Sequence, residues 1–315
     1  MKKHFINEAR IEGYVYQHTL QEKTVQNTAS ANFGKPFING SVFVATDEEG
    51  LNVVEVHYSY VPPVTAKEKA NPNYKALKRI MEGPTWIENG KDEAIKVILQ
   101  PSVVINDFYD LEGTLVSAKR LEGGFVTICE GLIELNPKLE DRNKFIVDMV
   151  ITSVKLVEAD EEKGYPEYAE VRGCIFDFKG ALFPLDIRMR NSDGINWLLN
   201  LDISPQNPYF LKLWGKVVSE TVTIETTEES PFGEPLVRTV QRSHKEWVMT
   251  GCNPDTEPFG EDSTINKEEL DAKVQERNVY LATVKKRSDE YRAQKNSGNK
   301  TAATAPTSSP DGFNF

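Results

Sequence analysis

The sequence predicts a mainly β protein with two tandem barrels, a C-terminal amphipathic helix and a disordered tail. The first observation is a period-two alternation of β-branched and aromatic residues, interrupted by clusters of Gly, Pro, Asn and Asp. The second is that one order of strands and helix occurs twice along the chain. The third is a closing run of small and polar residues, which has too little apolar surface to fold.

The first half of the chain has three strand patterns, one short helical pattern and two further strand patterns. The strands are expected over residues 9–18, 37–46, 53–61, 94–104 and 124–128, and the helix over residues 73–82. Three strands, a helix and two strands are the element order of an OB-fold, a small Greek-key barrel.

The second half repeats this order. Strands are expected over residues 144–157, 168–178, 181–190, 209–224 and 236–250, with a helix over residues 193–201. The two halves do not align by residue identity, so the repeat is one of element order. We therefore expect one OB-like barrel over residues 1–137 and a second over residues 138–252.

A linker over residues 253–266 precedes a long helix over residues 267–295. Asn266 and Glu269 have the spacing of a capping box at its start. An apolar stripe follows the helical period: Leu270, Val274, Leu281, Val284 and Tyr291. This stripe docks on a barrel or pairs with another chain, and docking is favoured because most helices are stabilised by packing an amphipathic face.

The predicted tail, residues 296–315, ends in two aromatic residues beside an aspartate. Asp311, Phe313 and Phe315 have no role in folding a disordered segment, and they are typical of a short motif that enters a partner's basic-rimmed apolar pocket. The alternative is an inert C-terminus, since tails tolerate change.

Composition excludes several classes of protein. The chain has 315 residues and a formal net charge of −11, which disfavours coating of duplex nucleic acid by global positive charge. Three scattered cysteines indicate unpaired thiols in a reducing cytosol, and neither a membrane span nor a secretory signal is present. Phosphate-loop, dinucleotide, hydrolase and zinc motifs are absent, so we expect neither catalysis nor a cofactor or metal.

Outward-facing aromatic and basic residues are the candidate site. Alternation places Tyr14, Tyr16 and Phe43 opposite the core in the first barrel. In the second, Phe210, Lys212, Trp214 and Lys216 share one face of a strand. Rings that stack on bases and lysines that follow phosphates are typical of single-strand binding. The further basic candidates are Lys35, Lys78 and Arg79. The alternative is that these aromatics are core or subunit-interface residues.

Three strand sequences and the tail resemble single-stranded-DNA-binding proteins of the OB-fold type. The segments are IEGYVY (residues 11–16), INGSVFVATD (38–47), NVVEVHYSYV (52–61) and the terminal DGFNF (311–315). The resemblance implies a core that wraps single-stranded DNA and a tip that recruits replication, recombination and repair proteins. The two barrels and the weakly acidic tip, with Asp311 alone, are more similar to a phage or viral version than to a bacterial one.

The sequence therefore predicts a non-catalytic, sequence-tolerant single-stranded-DNA-binding protein in the cytoplasm, or the host cytoplasm if viral. Its partners would be single-stranded DNA and, through the tip, replication proteins; homo-oligomerisation is left open. The rival hypothesis is a β-rich assembly protein, such as a virion component, with the aromatic faces and the helix as subunit interfaces.

Overall fold

Eleven strands and four α-helices form the part of the chain that the structure describes. The computed structural model describes residues 4–110, 112–159, 166–228, 232, 236–253 and 265–296. The strands are β1 (Asn7–His18), β2 (Gln21–Thr24), β3 (Pro36–Ala45), β4 (Val53–Val61), β5 (Lys96–Tyr109), β6 (Leu115–Ile128), β7 (Asn143–Val157), β8 (Tyr168–Phe176), β9 (Leu182–Met189), β10 (Tyr209–Glu228) and β11 (Leu236–Cys252). The helices are α1 (Pro72–Glu82), α2 (Trp86–Asn89), α3 (Ser192–Leu199) and α4 (Lys267–Asn296). Most of the predicted linker and tail, including Asp311, Phe313 and Phe315, lies outside the described residues.

The first barrel closes through the strand order β1–β3–β4–β6–β5–β1. Its pairings are antiparallel except β4 with β6, and α1 lies in the connection between β4 and β5. This is the OB-fold topology that the element order predicts. Glycines allow the strands to approach closely where the barrel bends: a Cβ on Gly13 would lie 1.9 Å from Ala45 O, and one on Gly124 would lie 1.8 Å from Gln100 O.

The second barrel closes in the same way, through the order β7–β8–β9–β11–β10–β7. Here β9 and β11 are the parallel pair, and α3 lies in the connection between β9 and β10. The predicted fold class, two tandem OB-like barrels with a C-terminal helix, is confirmed. The boundary expected at residues 137 and 138 falls in the connection between β6 and β7.

The two barrels share a continuous sheet. The start of β1 pairs antiparallel with the start of β7, with Ala9 opposite Phe145, so that β5, β1, β7 and β10 run side by side. Inward side chains of both barrels project from the same side of this sheet and belong to one apolar core. We call the line where β1 meets β7 the seam.

Equivalent residues of the two barrels make equivalent bonds at the seam. Asn7 donates to Val103 O (3.0 Å) and accepts from Val103 N (2.8 Å). Asn143 bonds both backbone groups of Val217 in the same way, donating to O at 2.5 Å and accepting from N at 3.2 Å. Each asparagine thus replaces a backbone partner where the first and fourth strands of its barrel diverge. The two barrels therefore repeat individual residue contacts, although the two halves of the sequence do not align by residue identity.

The long hairpin of each barrel reaches the third strand of the other. On the β5–β6 hairpin, Lys119 Nζ lies 2.6 Å from Asp186 Oδ2 on β9. On the β10–β11 hairpin, Lys245 Nζ lies 3.0 Å from Glu55 Oε2 on β4. The strand expected over residues 124–128 is longer than predicted because Leu115–Ile128 pairs with β5 as one arm of such a hairpin.

Helix α4 docks across both barrels, as the sequence favoured. The capping box is present: Glu269 N donates to Asn266 Oδ1 at 2.8 Å, and Asn266 N donates to Glu269 Oε2 at 3.1 Å. Arg277 donates to Asp107 Oδ1 (2.8 Å) in the first barrel and to Leu182 O (3.2 Å) in the second. Within the described residues, no helix combines the length and apolar character needed to cross a membrane.

The predicted apolar stripe of α4 is only partly right. Leu270 is buried and Leu281, Val284 and Tyr291 are half-buried, whereas Val274 is 40% exposed. Near Val274, the residue that faces the protein is Arg277, because it pairs with the buried Asp107 carboxylate. Hydrophobic periodicity cannot predict such a polar partner.

Candidate nucleic-acid interface

The outward side chains of the four-stranded sheet β5–β1–β7–β10 form one surface, which we call the seam face. On β10, Leu211 and Leu213 are buried, while Lys212, Trp214 and Lys216 are half-buried or exposed. This is the alternation that the sequence predicts for the strand. Directly paired residues of antiparallel strands project to the same side, and the pairings continue this face across the seam. These pairs are Lys212 with Asp148, Trp214 with Ile146, Ile146 with Glu8, Lys144 with Arg10, and Lys96 with Tyr14.

Cations from both barrels gather on the seam face. Arg10 and Lys144 are directly opposite each other across the seam, a pairing of like charges that destabilises a sheet. Lys96 and Lys216 add positive charge on the outer strands. Within the described ranges, none of the three lysines Lys96, Lys144 and Lys216 forms an ion pair with a carboxylate. The face is therefore locally basic on a chain whose net charge is −11.

The carboxylates beneath this face are largely neutralised by the protein itself. Glu12 is fully buried and accepts bonds from Arg10 Nε (2.5 Å) and Asn136 N (2.7 Å). Asp148, at the equivalent position of the second barrel, accepts from Ile6 N at 2.8 Å. Burial raises the pKa of Asp148, which favours its neutral form. Glu8, opposite Ile146, is the exposed carboxylate on this face, and the cations Lys96, Lys144, Lys212 and Lys216 outnumber it.

Trp214 is the aromatic residue of the seam face on β10. Its indole lies against the backbone of Gly251, where an added Cβ would come within 2.6 Å of Nε1. An open depression of about 310 Å³ adjoins the neighbouring Lys216, with Val218, Val248 and Thr250 in its lining. Trp214 is thus flanked on its strand by Lys212 and Lys216, and Lys216 lines a recess that is part apolar and part polar.

Phe210, a predicted stacking residue, has a different environment. It packs against an apolar cluster on the outside of the second barrel that includes Val150, Phe176 and Leu270. The start of α4 and the preceding Ile265 cover this part of the face. Phe210 is half-buried and engaged in packing on the face that the alternation assigned to it, and its stacking with bases stays a prediction.

The first barrel has an aromatic cluster beside the seam face, which we call the Trp86 cluster. Tyr14 and Trp86 meet edge to face with ring centroids 5.6 Å apart, and the Tyr16 centroid lies 6.0 Å from that of Trp86. Lys91 Nζ lies 5.5 Å and Lys96 Nζ 5.6 Å from the Tyr14 centroid. Tyr14 is only 8% exposed, so its ring is covered, while Tyr16 and Trp86 are half-buried.

The carboxylate of Glu48 closes this cluster. Lys91 Nζ lies 2.5 Å from Glu48 Oε2, and Arg142 Nη1 lies 2.7 Å from Glu48 Oε1. The Tyr14 hydroxyl donates to the same carboxylate at 3.5 Å. The bonds from Lys91 and then Arg142 lower the pKa of Glu48, which keeps it ionised.

The remaining predicted residues lie away from the seam face or are engaged with other groups. Phe43 projects outward from β3, opposite Glu55 of β4, and is half-buried. Lys35 is exposed and donates to Asn32 Oδ1 at 3.1 Å. On α1, Lys78 Nζ lies 3.0 Å from Glu22 Oε2, and Arg79 pairs with Glu130. The structure thus joins the β10 residues to Tyr14 and Tyr16 through the seam face, and it leaves the α1 cations in surface ion pairs.

Sequence reasoning missed Arg10, Lys144, Lys91, Lys96 and Trp86. Alternation does place Arg10 outward, but nothing in the sequence shows that it faces Lys144 across the seam. Trp86 lies on the four-residue helix α2, directly after Pro84-Thr85, where no periodic pattern exists. The signal that the sequence did offer was Trp86, which lies outside every predicted strand and helix and is followed by Lys91.

The topology defines a class: proteins in which two OB-fold barrels are joined through their first strands. Over residues 6–287 the chain matches the model of the YorF family, and it therefore belongs to that family. No curated protein matches the chain.

Two solved structures are similar to the chain at 11% identity. One is a deletion mutant of the single-stranded DNA binding protein from Thermus aquaticus, with a TM-score of 0.45 over 82% of this chain and 98% of that one. The other is a replication protein A heterotrimer bound to single-stranded DNA, with a TM-score of 0.19 over 81% of this chain and 50% of that one. The class rests on the strand topology described above.

Proposed function

We propose that this chain is a non-catalytic, sequence-tolerant single-stranded-DNA-binding protein and that the strand runs across the seam face. One observation carries the proposal: Lys96 of the first barrel and Lys144 and Lys216 of the second share one face with Trp214 on an acidic chain, and none of the three has a carboxylate partner among the described residues. Lys144 lies opposite Arg10 across the seam, and because Arg10 is already paired with Glu12, Lys144 is the cation at the seam that a bound phosphate backbone would neutralise.

The chemistry assigns roles to the residues of the seam face. Trp214 stacks with a base, a contact that is insensitive to base identity. Lys144, Lys212 and Lys216 contact phosphates on either side of it. Tyr16 and Trp86 supply the aromatic surface of the first barrel.

OB folds commonly bind oligonucleotides over their second and third strands. In this chain the third strand of each barrel is engaged by the hairpin of the other, through Lys245 with Glu55 and Lys119 with Asp186. That engagement favours the seam face as the main path. Phe43 and Lys35, on the second strand and the loop before it, are proposed as peripheral contacts.

The wider role belongs to the same proposal. A single-stranded-DNA-binding protein of this kind serves DNA replication, recombination and repair. Of the bacterial and phage versions, the sequence favours the phage version. Asp311, Phe313 and Phe315 would recruit partner proteins, through aromatic contacts more than through charge, because the tip has a single acidic side chain.

The test is a titration with oligothymidylate of about 30 nucleotides, since an OB fold covers roughly 4–16 nucleotides. Tryptophan fluorescence should be quenched on binding, and the affinity should fall between about 50 and about 200 mM salt. The double variant Lys144→Gln/Lys216→Gln should reduce the slope of log K against log salt by about 1.4, because each single-strand phosphate contact contributes about 0.7.

The matched control is Lys285→Gln/Lys286→Gln, which removes the same charge from two exposed lysines on α4, outside the four strands of the seam face. It should leave the slope nearly unchanged. No quenching and no salt-dependent binding by the wild-type chain would overturn the proposal, and equal effects of the two double variants would remove the seam face from it.

A further inference from the structure

Lys91, Arg142 and the Tyr14 hydroxyl surround the Glu48 carboxylate, and we call the site that they form the Glu48 seat. This site can hold an anion whether or not Glu48 occupies it. The Arg142 side chain is 8% exposed, and its Nε donates to Asn136 O at 2.7 Å, so the guanidinium is held in place independently of Glu48. By contrast, the Glu48 side chain is 40% exposed and that of Lys91 is 30% exposed. An anion from solvent can therefore approach the seat from the side where Glu48 enters.

The groups around the seat match one nucleotide of a single strand. Two cations and the Tyr14 hydroxyl form charge-assisted bonds with a carboxylate and would form the same bonds with phosphate oxygens. The Trp86 ring adjoins Lys91, with Nζ 5.9 Å from its centroid. An indole beside a cationic site is the combination with which proteins stack a base and hold its phosphate.

The loop that carries Glu48 links this seat to the second barrel. Within the loop, the Asp47 carboxylate accepts bonds from Glu49 N and Leu51 N at 3.0 Å each, which fixes the shape of the turn. At the end of the loop, Asn52 accepts from Ser219 N at 2.8 Å on β10, the strand that carries Trp214 and Lys216. The loop therefore contacts both Lys91 of the first barrel and β10 of the second.

We propose that Lys91, Arg142 and Tyr14 form a phosphate site for single-stranded DNA, with Trp86 as the neighbouring stacking platform, and that Glu48 fills this site until DNA displaces it. This inference rests on the proposed function and names a subsite and its intramolecular competitor. Glu48 is a positioning and competing group rather than a DNA contact.

The experiment compares Glu48→Gln with Glu49→Gln in the full chain, using oligothymidylate of about 30 nucleotides as the probe. Both variants remove one negative charge from the same loop, but Glu49 is exposed and has no ion pair among the described residues. Glu48→Gln should bind about fivefold more tightly, the upper end for release of an exposed ion pair, and Glu49→Gln less than about twofold.

The salt dependence supplies a second readout. In Glu48→Gln the two cations are free to bind solution anions, which DNA must then release, so log K should fall more steeply with log salt than in the wild-type chain. A third variant, Lys91→Gln, breaks the same ion pair but should weaken binding, because it removes a phosphate contact. A purely structural salt bridge would make Glu48→Gln and Lys91→Gln behave alike.

The outcomes separate this inference from the proposed function. If the wild-type chain binds but Glu48→Gln matches Glu49→Gln in affinity and slope, the subsite is overturned and the seam face stands. The same holds if Glu48→Gln and Lys91→Gln both weaken binding. If the wild-type chain does not bind oligothymidylate at either salt concentration, the proposed function itself fails.

Discussion

The two barrels have the same topology but opposite outer surfaces. On the second barrel, β10 presents the half-buried Trp214 beside the exposed Lys216, which has no carboxylate partner among the described residues, while the patch around Val150 and Phe176 is covered by the start of α4. On the first barrel, the surface beside β1 is closed by the Glu48 loop and α2. The comparison teaches that the OB topology fixes which strands are neighbours, whereas short flanking segments decide which faces stay open.

The largest expected effect tests whether the barrels are equivalent at the seam. Asn7→Ala removes the bonds to the backbone N–H and C=O of the buried Val103, and Asn143→Ala removes those to Val217, whose C=O keeps only a 3.4 Å bond from Asn52 Nδ2. Each should lower the free energy of unfolding by about 2–4 kcal/mol, since an unsatisfied buried group costs about 1–3 kcal/mol. Chemical denaturation measures both, with the exposed Asn200→Ala as the control. A large loss for one variant and none for the other would break the equivalence.

The next effect sharpens the contrast between the open and the closed surface. Trp214→Ala should weaken oligothymidylate binding by about 5- to 150-fold, the range of about 1–3 kcal/mol for one stacked base. Trp86→Ala should weaken it less, because displacement of Glu48 offsets part of the stacking gain in the wild-type chain. Fluorescence anisotropy with labelled DNA measures both variants. A larger loss of affinity for Trp86→Ala than for Trp214→Ala would contradict the assignment of the first-barrel surface as closed and the second-barrel surface as open.

The smallest effect concerns two carboxylates whose pKa values move in opposite directions. Burial raises the pKa of Asp148, whereas Lys91 and Arg142 lower the pKa of Glu48. The folded chain therefore binds more protons at Asp148 than the unfolded chain does, so this group's contribution to stability falls as pH rises from the ordinary Asp value through the raised one. Glu48 contributes stability above its unfolded pKa, and that contribution is lost as pH falls through its lowered value.

Carboxyl-carbon NMR titration measures both pKa values directly. In unfolding experiments, the stability of Asp148→Asn relative to wild type should increase with pH through the same window, because the variant lacks the titrating group. A flat difference across that window would show that Asp148 is not perturbed by burial. Glu49→Gln is the control that should show no such trend, since its side chain is exposed.

Local patterns in the sequence were sufficient to predict the strands and helices and the outward face of several strands. The alternation on β10, the capping box at Asn266 and Glu269, and the repeated strand–helix order all depend on residues close together in the chain, so their periodicity predicts them. Phe210 shows the limit: its face was assigned correctly, but its cover comes from Leu270 and Ile265, which are distant in sequence.

By itself, the sequence determined the fold class, two OB-like barrels and a docking helix, because backbone periodicity and turn residues act locally. It also predicted that Trp214, Lys212 and Lys216 share one face of a strand. Only the tertiary structure decided that Arg10 meets Lys144 and that Glu48 occupies a seat made by Lys91 and Arg142. Those contacts depend on the pairing of β1 with β7 and on a loop that contacts both barrels. Because the residues involved are far apart in the sequence, their register produces no periodic pattern from which it could be predicted.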